Sequence, residues 1–143
     1  MDSSATPLRV LFVDDDWDAR NIYRHYLTHR GLHTDTAVDG LDAIAQAAAV
    51  KPDVIVMDIS MPLMEGHTAA AALRTDPATR HIPIIAFSAQ GALKRSKTRL
   101  AVFDAVCWKP CRPQDLMDVI LRVASGGATS SPSRRRRAAR RVP

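Results

Sequence analysis

The chain has 143 residues, of which 46% are hydrophobic, 24% charged and 5% aromatic, a composition typical of one globular domain. This length excludes a multidomain enzyme, and the composition excludes collagen-like repeats and a wholly disordered chain. The formal net charge is +5, but six of the twenty basic residues are arginines between Arg134 and Arg141. The rest of the chain carries 14 basic and 15 acidic residues. The basicity therefore belongs to a tail.

The sequence indicates a protein of a reduced compartment, without a membrane span. Within residues 8–124, the longest stretch without Lys, Arg, Asp or Glu runs from His81 to Leu93. This is shorter than the roughly 18 apolar residues that a membrane helix needs. Asp2 stands where a secretory signal requires positive charge. Cys107 and Cys111 provide no disulfide framework and, without clustered histidines, no typical zinc site. We therefore expect a cytoplasmic protein with reduced cysteines.

Apolar runs of strand length alternate with segments of helical spacing. Five strands are predicted, near 8–13, 33–37, 53–57, 83–87 and 104–108. Most of these runs are almost continuously apolar, which is typical of strands buried on both faces of a parallel sheet. The alternation predicts an α/β fold, a doubly wound five-stranded parallel sheet with helices on both faces. In such sheets ligands bind beyond the carboxyl ends of the strands.

The composition divides the chain into three parts. Residues 1–7 are an N-terminal extension, residues 8–124 form the predicted domain, and residues 125–143 are a Ser/Gly/Pro linker with an Arg-rich tail. The tail has no periodic apolar face, so we expect it to be disordered. About twenty residues are too few for a second folded module. Together with Met1, this favours a complete, stand-alone protein.

Polar groups directly follow four of the predicted strands. They are Asp14, Asp15 and Asp16 after the first strand, Asp58 after the third, Ser88 after the fourth and Lys109 after the fifth. Singly, each is explained as well by a helix cap, a turn or a solvated charge. Because parallel strands end at one edge, however, these groups should converge. Clustered carboxylates favour a hard divalent cation, above all Mg²⁺, and a neighbouring lysine and hydroxyl suit a phosphoryl group.

Four segments in this order resemble response-regulator receiver domains of two-component signalling. They are residues 10–16, 54–66, 84–89 and 108–110, and the resemblance covers about residues 8–124. The Asp-(x)3-Pro-(x)3-Gly pattern of Asp58, Pro62 and Gly66 is the most distinctive. The resemblance implies a flavodoxin-like (βα)5 receiver fold with strand order 2-1-3-4-5. It also implies a regulatory phosphoacceptor rather than an enzyme.

The resemblance assigns the phosphoacceptor and the metal ligands by position. It implies that Asp58 accepts a phosphoryl group from the phosphohistidine of a histidine kinase or phosphotransfer protein. Asp14, Asp15 and Asp58 are the implied ligands of Mg²⁺ or Mn²⁺, and the backbone carbonyl of Ser60 is a further ligand. The ion and the neighbouring lysine then stabilise a metaphosphate-like transition state.

The resemblance also implies how phosphorylation is signalled. Lys109 pairs with Asp58 and then with the phosphoryl group, Ser88 moves towards a phosphoryl oxygen, and the bond between Lys109 and Pro110 is cis. Val106 stands where many relatives carry an aromatic switch residue, so we expect coupling through Ser88 and loop motion. The output is a changed affinity for a downstream protein at a face formed by strand five and two predicted helices, helix four between strands four and five and helix five after strand five.

Two other interpretations remain open. Basic residues between 94 and 99 give predicted helix four a basic side, most simply a solvated face. With Arg134 to Arg141 they allow a module tethered to nucleic acid or an anionic surface, weakly and nonspecifically because the tail lacks aromatic residues. A metal-dependent phosphatase with an aspartate nucleophile is disfavoured, because Ser60 replaces the second aspartate of the Asp-x-Asp pattern that would begin at Asp58.

Overall fold

Five parallel strands form the centre of the computed structural model, which describes residues 6–59, 66–88 and 102–126. The strands are β1 (Arg9–Val13), β2 (His33–Ala37), β3 (Val54–Asp58), β4 (Ile84–Ser88) and β5 (Ala105–Trp108). Their order in the sheet is β2-β1-β3-β4-β5. The predicted fold class and strand order are therefore confirmed. Each strand begins and ends within one residue of its expected bounds. A largely apolar run marks β1, β3, β4 and β5, whereas β2 is mostly polar.

Four helices are described. They are α1 (Trp17–His29), α2 (Gly40–Val50), α3 (Gly66–Thr75) and α4 (Pro113–Ala124), the last of which is predicted helix five. Predicted helix four, with the basic residues between 94 and 99, lies outside the described residues, as does the chain beyond Gly126. Among the helices described, none is long and apolar enough to cross a membrane.

Apolar side chains cover both faces of the sheet, as predicted for buried parallel strands. One cluster joins β1, β3 and β4 to α1 and α4 through Val10, Phe12, Leu27, Val56, Phe87, Leu116 and Ile120. The other joins the opposite face to α2 and α3 through Leu11, Val13, Ala43, Ala47, Ile55, Met57, Ala69, Ala70 and Leu73. Alternate residues of a strand point to opposite faces, so one apolar run supplies both clusters.

An ion pair between Arg74 and Asp104 stabilises the amino-terminal ends of β4 and β5. The Arg74 guanidinium, in the last turn of α3, donates to the carbonyls of Ile82 at 3.0 Å and Val102 at 3.1 Å and pairs with Asp104. The Asp104 carboxylate also accepts the N–H of Ile84 at 2.8 Å. These bonds hold the segments that begin β4 and β5, whose far ends carry the polar groups singled out in the sequence.

Candidate functional site

Three carboxylates meet at the carboxyl edge of the sheet. Asp14 and Asp15 follow β1, and Asp58 is the last residue of β3. The parallel register pairs Val13 with Met57, which places the next residues, Asp14 and Asp58, side by side. One oxygen from each of the three carboxylates lies within 4.8 Å of the others. Asp14 and Asp58 are only 1% and 3% exposed, whereas Asp15 is open to solvent.

Lys109 brings the opposite charge to this cluster. Its Nζ lies 3.3 Å from Asp14 Oδ2 and 3.7 Å from Asp58 Oδ2. The same Nζ is 5.0 Å from the centre of the Phe87 ring, a favourable cation–π contact. The Lys109 backbone N–H donates to the Ser88 carbonyl at 2.9 Å. The end of β4 therefore positions Lys109 through two groups, the ring of Phe87 and the backbone carbonyl of Ser88.

Backbone hydrogen bonds hold the Asp14 carboxylate and its main chain in place. Asp14 Oδ1 accepts the N–H of Asp16 at 2.9 Å, and the Asp14 carbonyl accepts the Arg20 guanidinium at 2.8 Å. The Asp14 N–H donates to the Ala37 carbonyl at the end of β2. The Asp16 carboxylate caps α1 by accepting the N–H of Asp18. The helix-cap explanation therefore holds for Asp16, and the other two acids of the run contribute to the cluster.

Gly66 packs against the backbone of the Asp58 segment. A Cβ built on Gly66 would lie 2.3 Å from the Asp58 carbonyl oxygen and 2.7 Å from the Ile59 Cα, distances that no side chain tolerates. Only glycine lets α3 begin this close to the end of β3. The sequence identified Gly66 only as the last position of a motif. The structure supplies the steric reason for it.

The remaining expected site residues divide between described and undescribed parts of the chain. Ser88 lies fully buried at the end of β4, on the same edge as the carboxylates. Ser60, expected to offer its carbonyl to a metal, lies outside the described residues. The peptide bond between Lys109 and Pro110 is cis, as predicted. Val106 is partly buried and packs with Ile59 and Ala86, on the face of β5 opposite to that of the adjacent Cys107.

Aromatic rings from β1, α1 and β4 form a cluster next to Lys109. The Tyr23 ring stacks on Phe12 with centroids 5.1 Å apart and meets Phe87 edge-on at 5.2 Å. Its hydroxyl donates to the Cys111 carbonyl, in the loop after β5. Burial, followed by the nearby Cys111, Cys107 and Asp14, raises the pKa of Tyr23 to about 12, so this donor stays protonated. Helical spacing identified Tyr23 as a core residue but not this bond.

Comparisons with known proteins agree with this geometry. A family model described as "Response regulator receiver domain" matches residues 10–121. PilG of Pseudomonas aeruginosa is 30% identical over 121 residues, which cover 84% of this chain and 90% of PilG. The response regulator PleD of Caulobacter vibrioides is 41% identical over 81 residues, covering 57% of this chain but only 18% of PleD. The solved chemotaxis response regulator CheY4 of Vibrio cholerae is 31% identical with a TM-score of 0.76, covering 82% of this chain and 99% of CheY4.

Proposed function

This chain belongs to the response regulator receiver family, and from that premise we propose that it accepts a phosphoryl group at Asp58 and signals by contact with another protein. Receiver domains are regulatory phosphoacceptors rather than classical enzymes, and histidine kinases are their partners. The observation that carries the proposal is the buried Asp58 carboxylate, 3.7 Å from Lys109 Nζ and clustered with Asp14 and Asp15. The proposed donor is the phosphohistidine of a kinase or phosphotransfer protein.

The donor set of the site fits a hard divalent cation. Three carboxylates face one ammonium, so their formal charges leave two negative charges uncompensated. All-oxygen donors of this charge suit Mg²⁺ or Mn²⁺. Asp14, Asp15 and Asp58 are the proposed ligands, with the Ser60 carbonyl as a further one. When bound, the ion neutralises charge on the phosphoryl oxygens during transfer.

The side chains of the site divide the work of phosphoryl transfer. An Asp58 oxygen attacks phosphorus, and the P–N bond to the donor imidazole breaks as the P–O bond of the acyl phosphate forms. Lys109, held by Phe87 beneath it, stabilises the charge that spreads over the phosphoryl oxygens. The Ser88 hydroxyl then donates to a phosphoryl oxygen. This last bond exists only in the phosphorylated protein and can therefore report the phosphoryl group.

A small apolar cluster supports coupling between the site and β5. Ile59, the residue after Asp58, packs with Ala86 of β4, Phe103 and Val106 of β5. We propose that movement of Ser88 and of the Asp58 segment reaches the face around β5 through this aliphatic contact, without rotation of an aromatic ring at position 106. The result is a changed affinity for a downstream protein.

Stand-alone action is the finer part of the proposal. The match with this chain covers 90% of PilG. A relative of such similar length supports a regulator made of one domain. PleD, of which the chain spans under a fifth, shows that the same domain also occurs within longer proteins. A partner that binds this chain in only one phosphorylation state would support stand-alone signalling.

Phosphotransfer from acetyl phosphate in the presence of Mg²⁺ tests the assignment of Asp58. Intact-mass spectrometry should detect one added phosphoryl group on the wild-type chain and none on Asp58→Asn. Asp118→Asn is the matched control, because Asp118 lies exposed on α4. Labelling that survives in Asp58→Asn would overturn the assignment.

A further inference from the structure

Two histidines form a stacked pair on the solvent side of α1. His25 and His29 are both exposed, and their rings lie 6.5 Å apart between centroids, at an angle of only 11° to each other. Residues four apart on a helix lie one above the other, about 40° apart around its axis. Both side chains therefore leave α1 in nearly the same direction. The function proposed above uses neither of them.

We propose that His25 and His29 together bind one divalent transition-metal ion of the class that accepts imidazole nitrogen, which includes Ni²⁺, Zn²⁺ and Cu²⁺. One ring nitrogen of each histidine binds the ion, and water completes its coordination. Metal–nitrogen bonds of about 2.0–2.1 Å place two bound nitrogens at most about 4.2 Å apart. Rings whose centroids lie 6.5 Å apart reach this separation by turning their nitrogens towards each other.

The arginines beside the pair are engaged with other side chains of α1. Arg24 donates to Asn21 Oδ1 at 3.2 Å. Arg30 donates to the Tyr26 hydroxyl at 2.7 Å, and its guanidinium carbon lies 5.6 Å from the centre of the Tyr26 ring. These contacts hold both guanidiniums on partners other than the two imidazoles. Their positive charge still opposes a cation, so we expect a weaker site than one with acidic neighbours.

The histidine pair differs from the carboxylate cluster in place and in ligand type. His25 lies eight residues beyond Trp17, the first residue of α1, which is about 12 Å along the helix axis. Mg²⁺ prefers oxygen ligands, whereas the proposed ions accept imidazole nitrogen. Among the residues that the structure describes, only Asp14, Asp15 and Asp58 form a cluster of three or more possible metal ligands. The pair therefore provides two ligands from the protein.

The bound ion stabilises α1, because the two imidazoles face the same side only in the helix. In the unfolded chain they lie on a flexible backbone and bind the ion less tightly. An ion that prefers the folded state shifts the unfolding equilibrium towards that state. The same helix carries Arg20, whose guanidinium donates to the Asp14 carbonyl at 2.8 Å. The ion therefore stabilises an element that also supports the carboxylate cluster.

Isothermal titration of the full chain, without an affinity tag, tests the site with Ni²⁺ in excess Mg²⁺. Mg²⁺ competes for the carboxylates, and Ni²⁺ is preferred to Cu²⁺ because Cu²⁺ oxidises free thiols such as those of Cys107 and Cys111. His25→Gln and His29→Gln should each weaken binding by at least about tenfold, since each loses the gain from linking two ligands. His81→Gln is the matched control, because His81 is an exposed histidine outside the pair, and it should bind as the wild-type chain does.

A double variant separates the geometry of the pair from the number of histidines. His25→Gln/Arg24→His keeps five histidines but places the two imidazoles about 140° apart around α1. It should bind Ni²⁺ as weakly as His29→Gln does, while circular dichroism shows the helices of every variant intact. Wild-type affinity in the double variant, or in either single variant of the pair, would overturn the proposed site.

Thermal unfolding provides a second measurement of the same site. With Ni²⁺ at about ten times its Kd, the unfolding equilibrium constant of the wild-type chain should fall by about tenfold. His81→Gln should respond equally, and His25→Gln should not respond. An equal response in His25→Gln would contradict binding by the pair. Sedimentation that shows two chains joined by Ni²⁺ would contradict a site completed by water.

Discussion

The Nζ of Lys109 lies 3.3 Å from Oδ2 of Asp14, a residue 95 positions earlier in the chain. The same ammonium is 3.7 Å from Asp58 Oδ2. Because Asp14 Oδ1 already accepts the Asp16 N–H, both oxygens of Asp14 are engaged before any ligand arrives. The lysine therefore bridges the two buried carboxylates. It is placed to move from them to a phosphoryl oxygen on Asp58.

Replacing Lys109 with Met removes that bridge and leaves three carboxylates without their cation. We expect phosphorylation from acetyl phosphate to fall by about 10²-fold, the usual effect of losing one group that stabilises developing charge. Affinity for Mg²⁺ should rise, because no ammonium competes for the carboxylates. Fluorescence of Trp17, which is 65% exposed just after the acidic run, is a suitable reporter of metal binding.

The variant Lys109→Arg serves as the control for charge. It should retain part of the rate, because the guanidinium keeps the positive charge but spreads it over a planar fork. Wild-type rates in Lys109→Met would show that the ammonium takes no part in transfer.

Replacing Gly66 with Ala should damage both the fold and the site. The new Cβ would lie 2.3 Å from the Asp58 carbonyl oxygen, so α3 or the Asp58 segment must move. We expect a loss of about 1–3 kcal/mol in the free energy of unfolding, the usual cost of overpacking, together with slower phosphorylation. Urea titration and the acetyl phosphate assay measure the two effects.

Gly31→Ala separates backbone strain from damage to the site. Gly31 has φ +98 and open space around a Cβ, so its replacement should lower stability without altering the phosphorylation rate. A stable, fully active Gly66→Ala would contradict the close approach of α3 to Asp58.

Tyr23 should make stability fall at high pH. Burial is the main cause that raises its pKa from the ordinary 10.0 to about 12 in the folded protein. The contribution is fully present below pH 10 and is lost between about pH 10 and pH 12, because the unfolded chain releases this proton first. Urea midpoints measured across that range should fall less in Tyr23→Phe than in the wild-type chain.

At pH 8 the same variant measures the hydrogen bond to Cys111. Its loss should cost about 1 kcal/mol, since the Tyr23 hydroxyl is the donor to that carbonyl. Identical urea midpoints for both chains at every pH would show that the Tyr23 hydroxyl neither has a raised pKa nor contributes a stabilising hydrogen bond to Cys111.

Replacing Asp104 with Ala should lower stability without disturbing the chemistry. The carboxylate pairs with Arg74 and accepts the N–H of Ile84, so its removal leaves two donors without that partner. We expect a loss of about 1–2 kcal/mol from the free energy of unfolding. Because these bonds lie at the edge of the sheet opposite the site, the phosphorylation rate below the unfolding temperature should stay unchanged. Asp118→Ala, on an exposed part of α4, should change neither quantity.

Truncation after Gly126 tests whether the arginine tail binds nucleic acid. Six arginines that each neutralise a phosphate predict a log–log slope against salt of about −5 for binding to duplex DNA. Truncation should abolish that binding and leave phosphorylation at Asp58 intact. Partner binding that needs the tail but not Asp58 would favour the tethered module instead. Binding assays at several salt concentrations, before and after phosphorylation, distinguish the two.

The sequence by itself determined the strands and the edge at which the site lies. Near-continuous apolar runs are required wherever a parallel strand is covered on both faces, and such a run ends visibly at Asp14, Asp58, Ser88 and Lys109. The order of the strands came from the family resemblance. Which strands pair depends on contacts between segments far apart in the chain, so the local pattern of apolar residues does not determine the strand order.

Only the tertiary structure decided how the groups at that edge contact one another. It distinguished Asp16, a helix cap, from Asp14, which lies two residues earlier and belongs to the carboxylate cluster, and it gave Gly66 a steric role against the Asp58 carbonyl. It also placed the Cys111 carbonyl at the hydroxyl of Tyr23, 88 positions earlier in the chain. The contacts of Tyr23 with Cys111 and of Lys109 with Asp14 depend on strand register and helix packing between segments far apart in the chain. No local periodicity encodes such distances, because each depends on two elements that the sequence pattern describes separately.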